Sequence, residues 1–337
     1  MNNRQKRPVS NIVPVAGDRA GTDLANNVQT HYLEFSAECD VAIAGAAAAS
    51  LRNRGNIFAI FDEVALVEAG KDVQLIKGTV LRALAEQSAP SSLSGVDLSS
   101  TAIGNTHLKR TFRLYSAHPY AVMPRETAFV EHDIRAKLRA EVKLAADGGA
   151  GRLALAGVGG TVVISNLVVR VKQGCDPVEQ VKPYFIPHIH SQVESVAAVN
   201  DQLDSFIKSA AVIRAIIVSQ EDTAVGEVSD VINGLILQGD QRALIGPKSA
   251  AWADLVAGQE FDFGGASGFL DGQAHLVINF QEGGRLVNCL NPNQDTNLKF
   301  TFDCQPSAVG TGDSKIRLTV IELWADAQLT KPVDFPV

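Results

Sequence analysis

The sequence predicts an all-β protein made of antiparallel sandwiches. Three observations carry that expectation: apolar residues recur at every second position, turn residues separate the short runs, and helical periodicity is scarce. The clearest run is Ile134, Ala136, Leu138, Ala140, Val142 and Leu144, alternating with Arg135, Lys137, Arg139, Glu141 and Lys143. Successive strand side chains point to opposite faces, so one face is buried and the other wet, whereas a helix would scatter those charges around its circumference. The same period recurs at Leu108, Arg110, Phe112 and Leu114, and in Val162 to Val171, where β-branched residues dominate. Asn56 to Val67 and Val73 to Ile76 also read as strands, while Ala42 to Ala49 and Pro90 to Asn105 show no strong period.

The second half repeats this logic. Val212 to Val218, Val231 to Leu237, Leu276/Ile278/Phe280, Leu298/Phe300/Phe302 and Ile316/Leu318/Val320 form core-facing series, with Asn279, Lys299, Thr301, Arg317 and Thr319 on the opposite face. Turn signals lie between the runs at Asp147-Gly148-Gly149, Gly157 to Gly160, Gly264-Gly265, Asp271-Gly272, Gly283-Gly284 and Asn291-Pro292-Asn293. Two short helices are expected. One runs from a Ser249 cap to a stop at Gly258, and the other spans Thr79 to Gln87. A short helix in each half suggests a tandem arrangement of two β units, with Pro177, Pro183 and Pro187 marking the join. The organisation expected is an extended N-terminal arm over 1–27, a first sandwich over 28–177 and a second over 178–337.

Composition narrows the function classes. Hydrophobic residues at 46% and charged residues at 20% suit a chain that buries its own core, which excludes disorder for the bulk. Lys plus Arg 30 against Asp plus Glu 37 gives a net charge of -7, so nucleic-acid binding would have to be local. The longest apolar run, Val41 to Ala49, is about half of the roughly 20 residues a membrane helix needs. Basic residues near Met1 are not followed by an apolar stretch, so no secretory signal is expected and synthesis is placed in the cytoplasm. Cys39, Cys175, Cys289 and Cys304 are few and widely spaced, which suits buried thiols better than a zinc site or a disulfide framework.

Individual motifs point to structure rather than chemistry. His188 and His190 sit at alternate positions and could both face a metal, as in cupin-like proteins, yet two ligands are too few. His31, His107, His118, His132 and His275 stand isolated, with no Ser/His/Asp pattern readable around them. Gly157-Val158-Gly159-Gly160-Thr161 lacks the lysine of a phosphate loop and precedes a strand, so it reads as a turn. Asp295, Asp303, Asp313 and the loop Asn291 to Asn297 are either solvated acids or calcium ligands. Arg214 interrupts an apolar strand and should point outward or pair with Glu227 or Asp230. No catalytic residue, metal ligand or cofactor is assigned.

The order Ile213-Arg214-Ala215-Ile216, then Val231 to Gln238 with Gly239-Asp240, a short helix, and Ile316-Arg317-Leu318-Thr319-Val320 resembles the double jelly-roll major coat proteins of tailless icosahedral phages, of the corticovirus type. The resemblance covers 178–325, and the first half only by its matching architecture. It implies two tandem eight-stranded jelly rolls, a homotrimer forming a pseudo-hexagonal capsomer, and contacts with neighbouring capsomers and penton or minor capsid proteins. It implies a virion location after synthesis in the host cytoplasm, with no enzyme activity and no small-molecule substrate. It also turns the N-terminal segment inward, so that Arg4, Lys6 and Arg7 would meet internal membrane lipids or the genome. The alternatives are a carbohydrate-binding or adhesion β-sandwich, weakened by aromatics at 6%, and a cupin-type metalloenzyme using His188 and His190.

Overall fold

The computed structural model describes residues 5–25, 28–45, 57–81, 94–95, 104–115, 129–130, 138–150, 160–177, 185–209, 211–224, 226–240, 243–257, 274–280, 289–309 and 312–325. These divide into two compact units, the first holding 5–189 with 323–325 and the second 190–322. The expected join at 178 lies outside the described residues. Strands dominate both units, and no helix among the described residues is long and apolar enough to cross a membrane.

In the first unit, one sheet runs β1 (Gln5–Pro8), β10 (Gly160–Pro177), β3 (Val28–Gly45), β7 (Gly104–Tyr115), β6 (Ser94–Gly95), with β8 (Phe129–Val130) also pairing β3. The other places β5 (Lys71–Ile76), β4 (Phe61–Glu68), β9 (Leu138–Leu144) and β2 (Arg19–Asp23) side by side. β9 keeps its expected alternation, with Leu138, Ala140, Val142 and Leu144 buried. β3 is buried throughout from Thr30 to Ala37 and alternates beyond it, with Cys39, Val41 and Ile43 buried between half-buried Glu38, Asp40 and Ala42, so part of the stretch read as aperiodic belongs to a long strand. Phe35 and Phe112 stack at 5.1 Å, and Phe58 meets Phe112 edge-on at 4.4 Å. Phe58 comes from a 3-10 turn, Ile57–Ile60, where a strand had been expected; all four of its residues are buried, so the turn acts as a plug under the sheets. The Asp147 turn forms as read, with Gly148 and Gly149 at φ 71° and 82° and the Gly149 N–H donating to Asp147 Oδ1 at 2.8 Å.

The N-terminal segment is not a free arm through its described length. β1 pairs β10 (Lys6↔Gly174, Arg7↔Gln173), Ile12 bridges Val169, the Gly17 N–H donates to Leu144 at 3.0 Å, and β2 pairs β9. The segment therefore stitches both sheets of its unit. Its polar composition hid this, because an edge strand needs backbone partners more than an apolar face.

In the second unit, one sheet runs β12 (Asn200–Phe206), β18 (Lys299–Cys304), β15 (Ile232–Gln238), β16 (Ala243–Ala251). The other contains β11 (Phe185–Val196, within this unit from His190), β19 (Ser314–Ala325), β13 (Val212–Asp222) and β14 (Gly226–Glu227), with β17 (His275–Asn279) on β13. Ile216, Val218, Leu235, Phe300, Phe302 and Leu318 anchor the core between them. The helix expected from Ser249 begins later, as α1 (Trp252–Ala257). Ser249, Ala250 and Ala251 stay in β16, where Ala250 and Ala251 pair Leu235 and Gly234; ladder pairing overrides their local helix preference. The other expected helix shows only a 3-10 turn at Gly78–Val80, and most of the span to Gln87 lies outside the described residues.

Candidate functional site

The outer face of the β10–β3–β7 sheet carries a ladder of charge. β3 supplies acids along the middle, and its neighbours supply partners from both sides. Asp40 accepts from Asn166 Nδ2 at 2.7 Å and lies 2.8 Å from His107 Nδ1. Glu38 pairs with Arg170 and with His107 at 3.4 Å, and Glu34 takes Arg113 at 2.8 Å and Lys172 at 3.6 Å. The Asn166 and His107 contacts hold the Asp40 carboxyl below the usual range. The Arg113 guanidinium also lies 5.1 Å from the centroid of Tyr32, whose ring covers Gly174; a Cβ at Gly174 would collide with that ring. On the second sheet, Arg19 of β2 donates to Glu63 at 2.8 Å and to Asp72 at 2.8 and 3.0 Å, contacts that raise its pKa further. These rungs fix register across strands distant in sequence.

The second unit hides a different cluster. His275 of β17 has Nδ1 at 2.8 Å from Ser219 Oγ and Nε2 at 3.2 Å from Glu227 Oε1, which joins β13, β17 and β14. A carboxylate only accepts, so Nε2 carries the proton shared with Glu227. This Ser–His–Glu arrangement resembles a hydrolase triad in composition, with Ser219 0% exposed. It ties three strands together. Beside it, Arg317 donates to Glu221 at 2.6 and 3.2 Å, and Gln220 Oε1 accepts the N–H groups of Val231 and Ile232, both at 2.7 Å. His275 had looked isolated; only the β13–β17 register, which sets it opposite Ser219, reveals the cluster.

Arg214 departs from expectation. Arg214 neither points outward nor pairs with the named carboxylates. β13 is buried on both faces, so alternation gives Arg214 no wet side. Glu227 engages His275, and Asp230 accepts from Ser307 Oγ and the Ala308 N–H, both at 2.7 Å. Burial pulls the Arg214 guanidinium down to about 10, which leaves it charged at neutral pH, and burial pushes the Cys289 thiol near it up to about 12. His188 packs against Trp324 with ring centroids 5.4 Å apart, while His190 lies 3.8 Å from Glu322. Among the described residues no three His, Cys, Asp or Glu side chains gather to hold a metal, and Asp295, Asp303 and Asp313 are not brought together. The loop around Asn291 is instead closed by Asp240, which accepts from Thr296 at 2.7 Å and Asn297 at 2.8 Å. Lys6 and Arg7 lie in β1, and Arg4, His118, His132 and Gly157 to Gly159 fall outside the described residues. All four cysteines are buried, and none forms a disulfide.

This pair of β units defines a class: the chain has the double jelly-roll fold of viral major capsid proteins. It is similar to the STIV MCP with a TM-score of 0.69 at 11% identity, covering 97% of this chain and 100% of that one. It is also similar to the major capsid protein P2 from Bacteriophage PM2, at TM-score 0.56 and 9% identity over 96% and 99% of the two chains. The PBCV-1 virus capsid protein matches at 0.60 and 9% identity over 95% and 92%. No family model and no curated protein matches the sequence.

Proposed function

We propose that this chain is a major capsid protein, a structural subunit that closes an icosahedral virion shell. The observation that carries the reading is full-length agreement of fold with the STIV MCP, over 97% of one chain and 100% of the other. Tandem jelly rolls give a physical reason for the role, because a trimer of two-domain subunits presents six similar blocks to a pseudo-hexagonal lattice. On this reading the functional unit is a homotrimeric capsomer that meets neighbouring capsomers and penton or minor capsid proteins. The chain is made in the host cytoplasm and resides in the virion, and it needs no cofactor or small-molecule substrate. Arg4, Lys6 and Arg7 bring positive charge to the inner surface, where anionic lipid headgroups or genome phosphates would meet them. Light scattering on the purified full chain, with negative-stain microscopy of the same sample, tests the reading. A stable trimer of hexagonal outline or curved shell fragments is expected; a monodisperse monomer at every concentration would overturn it.

A further inference from the structure

Arg214 is a buried cation to which the second unit brings no anion of its own among the described residues. It is 4% exposed and keeps its charge at neutral pH. Its backbone is fixed on both sides: Ile213 and Leu290 exchange N–H to carbonyl bonds at 2.8 and 2.9 Å, and the Arg214 carbonyl accepts the Phe280 N–H at 3.0 Å. Antiparallel pairing of Ile213 with Leu290 sets Cys289 beside Arg214 on the next rung. Burial pushes that thiol up to about 12, so the cross-strand neighbour stays neutral.

The acids of this sheet are spent elsewhere. Glu221 and Asp222 stand at the far end of β13, about 23 Å away at roughly 3.3 Å per residue. There Glu221 takes Arg317, Asp222 accepts the Ala224 and Gly312 N–H groups at 2.8 and 3.2 Å, and Glu227 holds His275. No side-chain hydrogen bond or ion pair from the described residues reaches the Arg214 guanidinium. Nor is the guanidinium sealed: none of its nitrogens is both occluded and unbonded, so the exposure that remains lies at its tip. A buried charge without a counter-charge is costly, and a guanidinium that cannot shed its proton at neutral pH must be neutralised from outside. Its planar fork of N–H donors matches two oxygens of one oxyanion.

We propose that Arg214 binds a small oxyanion from solvent, inorganic phosphate or a carboxylate of similar size, which supplies the counter-charge beside the start of β13. The anion is a structural ligand of the second unit, and the site is independent of the contacts that build a shell.

The test melts full-length wild type and Arg214→Met in rising phosphate, with ionic strength held constant by chloride, and repeats the series in acetate. Methionine fills much of the arginine stem without burying a charge, so the variant is expected to fold. Phosphate strengthens folding in general through its exclusion from protein surface, an effect both proteins share. A bound anion adds a rise that wild type alone shows and that grows with the logarithm of anion concentration. Calorimetric titration of phosphate, and separately of acetate, into the native wild type should give saturable binding of at least one of them, weakened about tenfold in Arg214→Lys, which keeps the charge and loses the fork. Equal slopes in wild type and Arg214→Met, or no saturable binding of either anion to wild type, overturns the proposal. Should Arg214→Met fail to fold, the wild-type and Arg214→Lys titrations decide it: equal affinity in the two, or none in wild type, overturns it.

Discussion

Asp40, Asp204 and Asp240 each hold strands or a loop in place, and each carboxyl is held below the ordinary range, by Asn166, Lys299 and Thr296 respectively before any other cause. A carboxyl depressed by folding stabilises the native state above its unfolded value of about 3.9, and that contribution is lost as pH falls through the folded value. The melting temperature should therefore hold from neutral pH to about 4 and fall below it. Asp240→Asn should flatten that acid limb and lower the neutral-pH midpoint, as followed by calorimetry. The buried knot makes a larger demand. His275→Phe strips the imidazole from the Glu227 carboxylate and should cost about 3 kcal/mol in denaturant melts, against about 1 kcal/mol for Ser219→Ala. Neither partner was legible in the sequence, because Ser219 and His275 are joined only by a strand register that composition does not encode.

Clean alternation made some strands legible, while full burial or a polar composition hid features of others. β9 and β18 bury every second residue, and that alternation is readable in the sequence. β13 is buried almost throughout, so its apolar run identified a strand but could not tell where Arg214 points. β1 and β2 were invisible for the opposite reason: they carry polar residues and are held by backbone pairing. Removing residues 1–12 takes away β1 and the Ile12 bridge, and Ile12 is 2% exposed. The truncated chain should lose at least about 2 kcal/mol from that side chain alone and melt earlier by circular dichroism. In β3, Phe35→Ala empties a fully buried position stacked on Phe112 and should cost about 3–5 kcal/mol.

At the scale of the whole molecule, the thiols are kept inside. Cys39, Cys175, Cys289 and Cys304 are all buried and none forms a disulfide, and burial pushes the Cys39 and Cys304 thiols up to about 12 and 11. A thiol reagent should titrate none of them rapidly in the native protein and all four in denaturant. The double-unit organisation was readable because each half carries its own alternating series, and the resemblance to double jelly-roll coat proteins agrees with the fold observed. Charge gave less guidance. A net charge of -7 says nothing of the ordered acid stripe of β3 between its basic neighbours, which only pairing creates.

The stitching of the first unit also sets an order of events during synthesis. Gln5 to Pro8 leave the ribosome well before their partners Lys172 to Cys175. The opening strand must wait, unpaired, while the chain between is made. Its lysine, arginine and proline keep that waiting segment soluble. Docking of β1 thus follows translation of β10, and the sheet gains that edge only once both segments have been made.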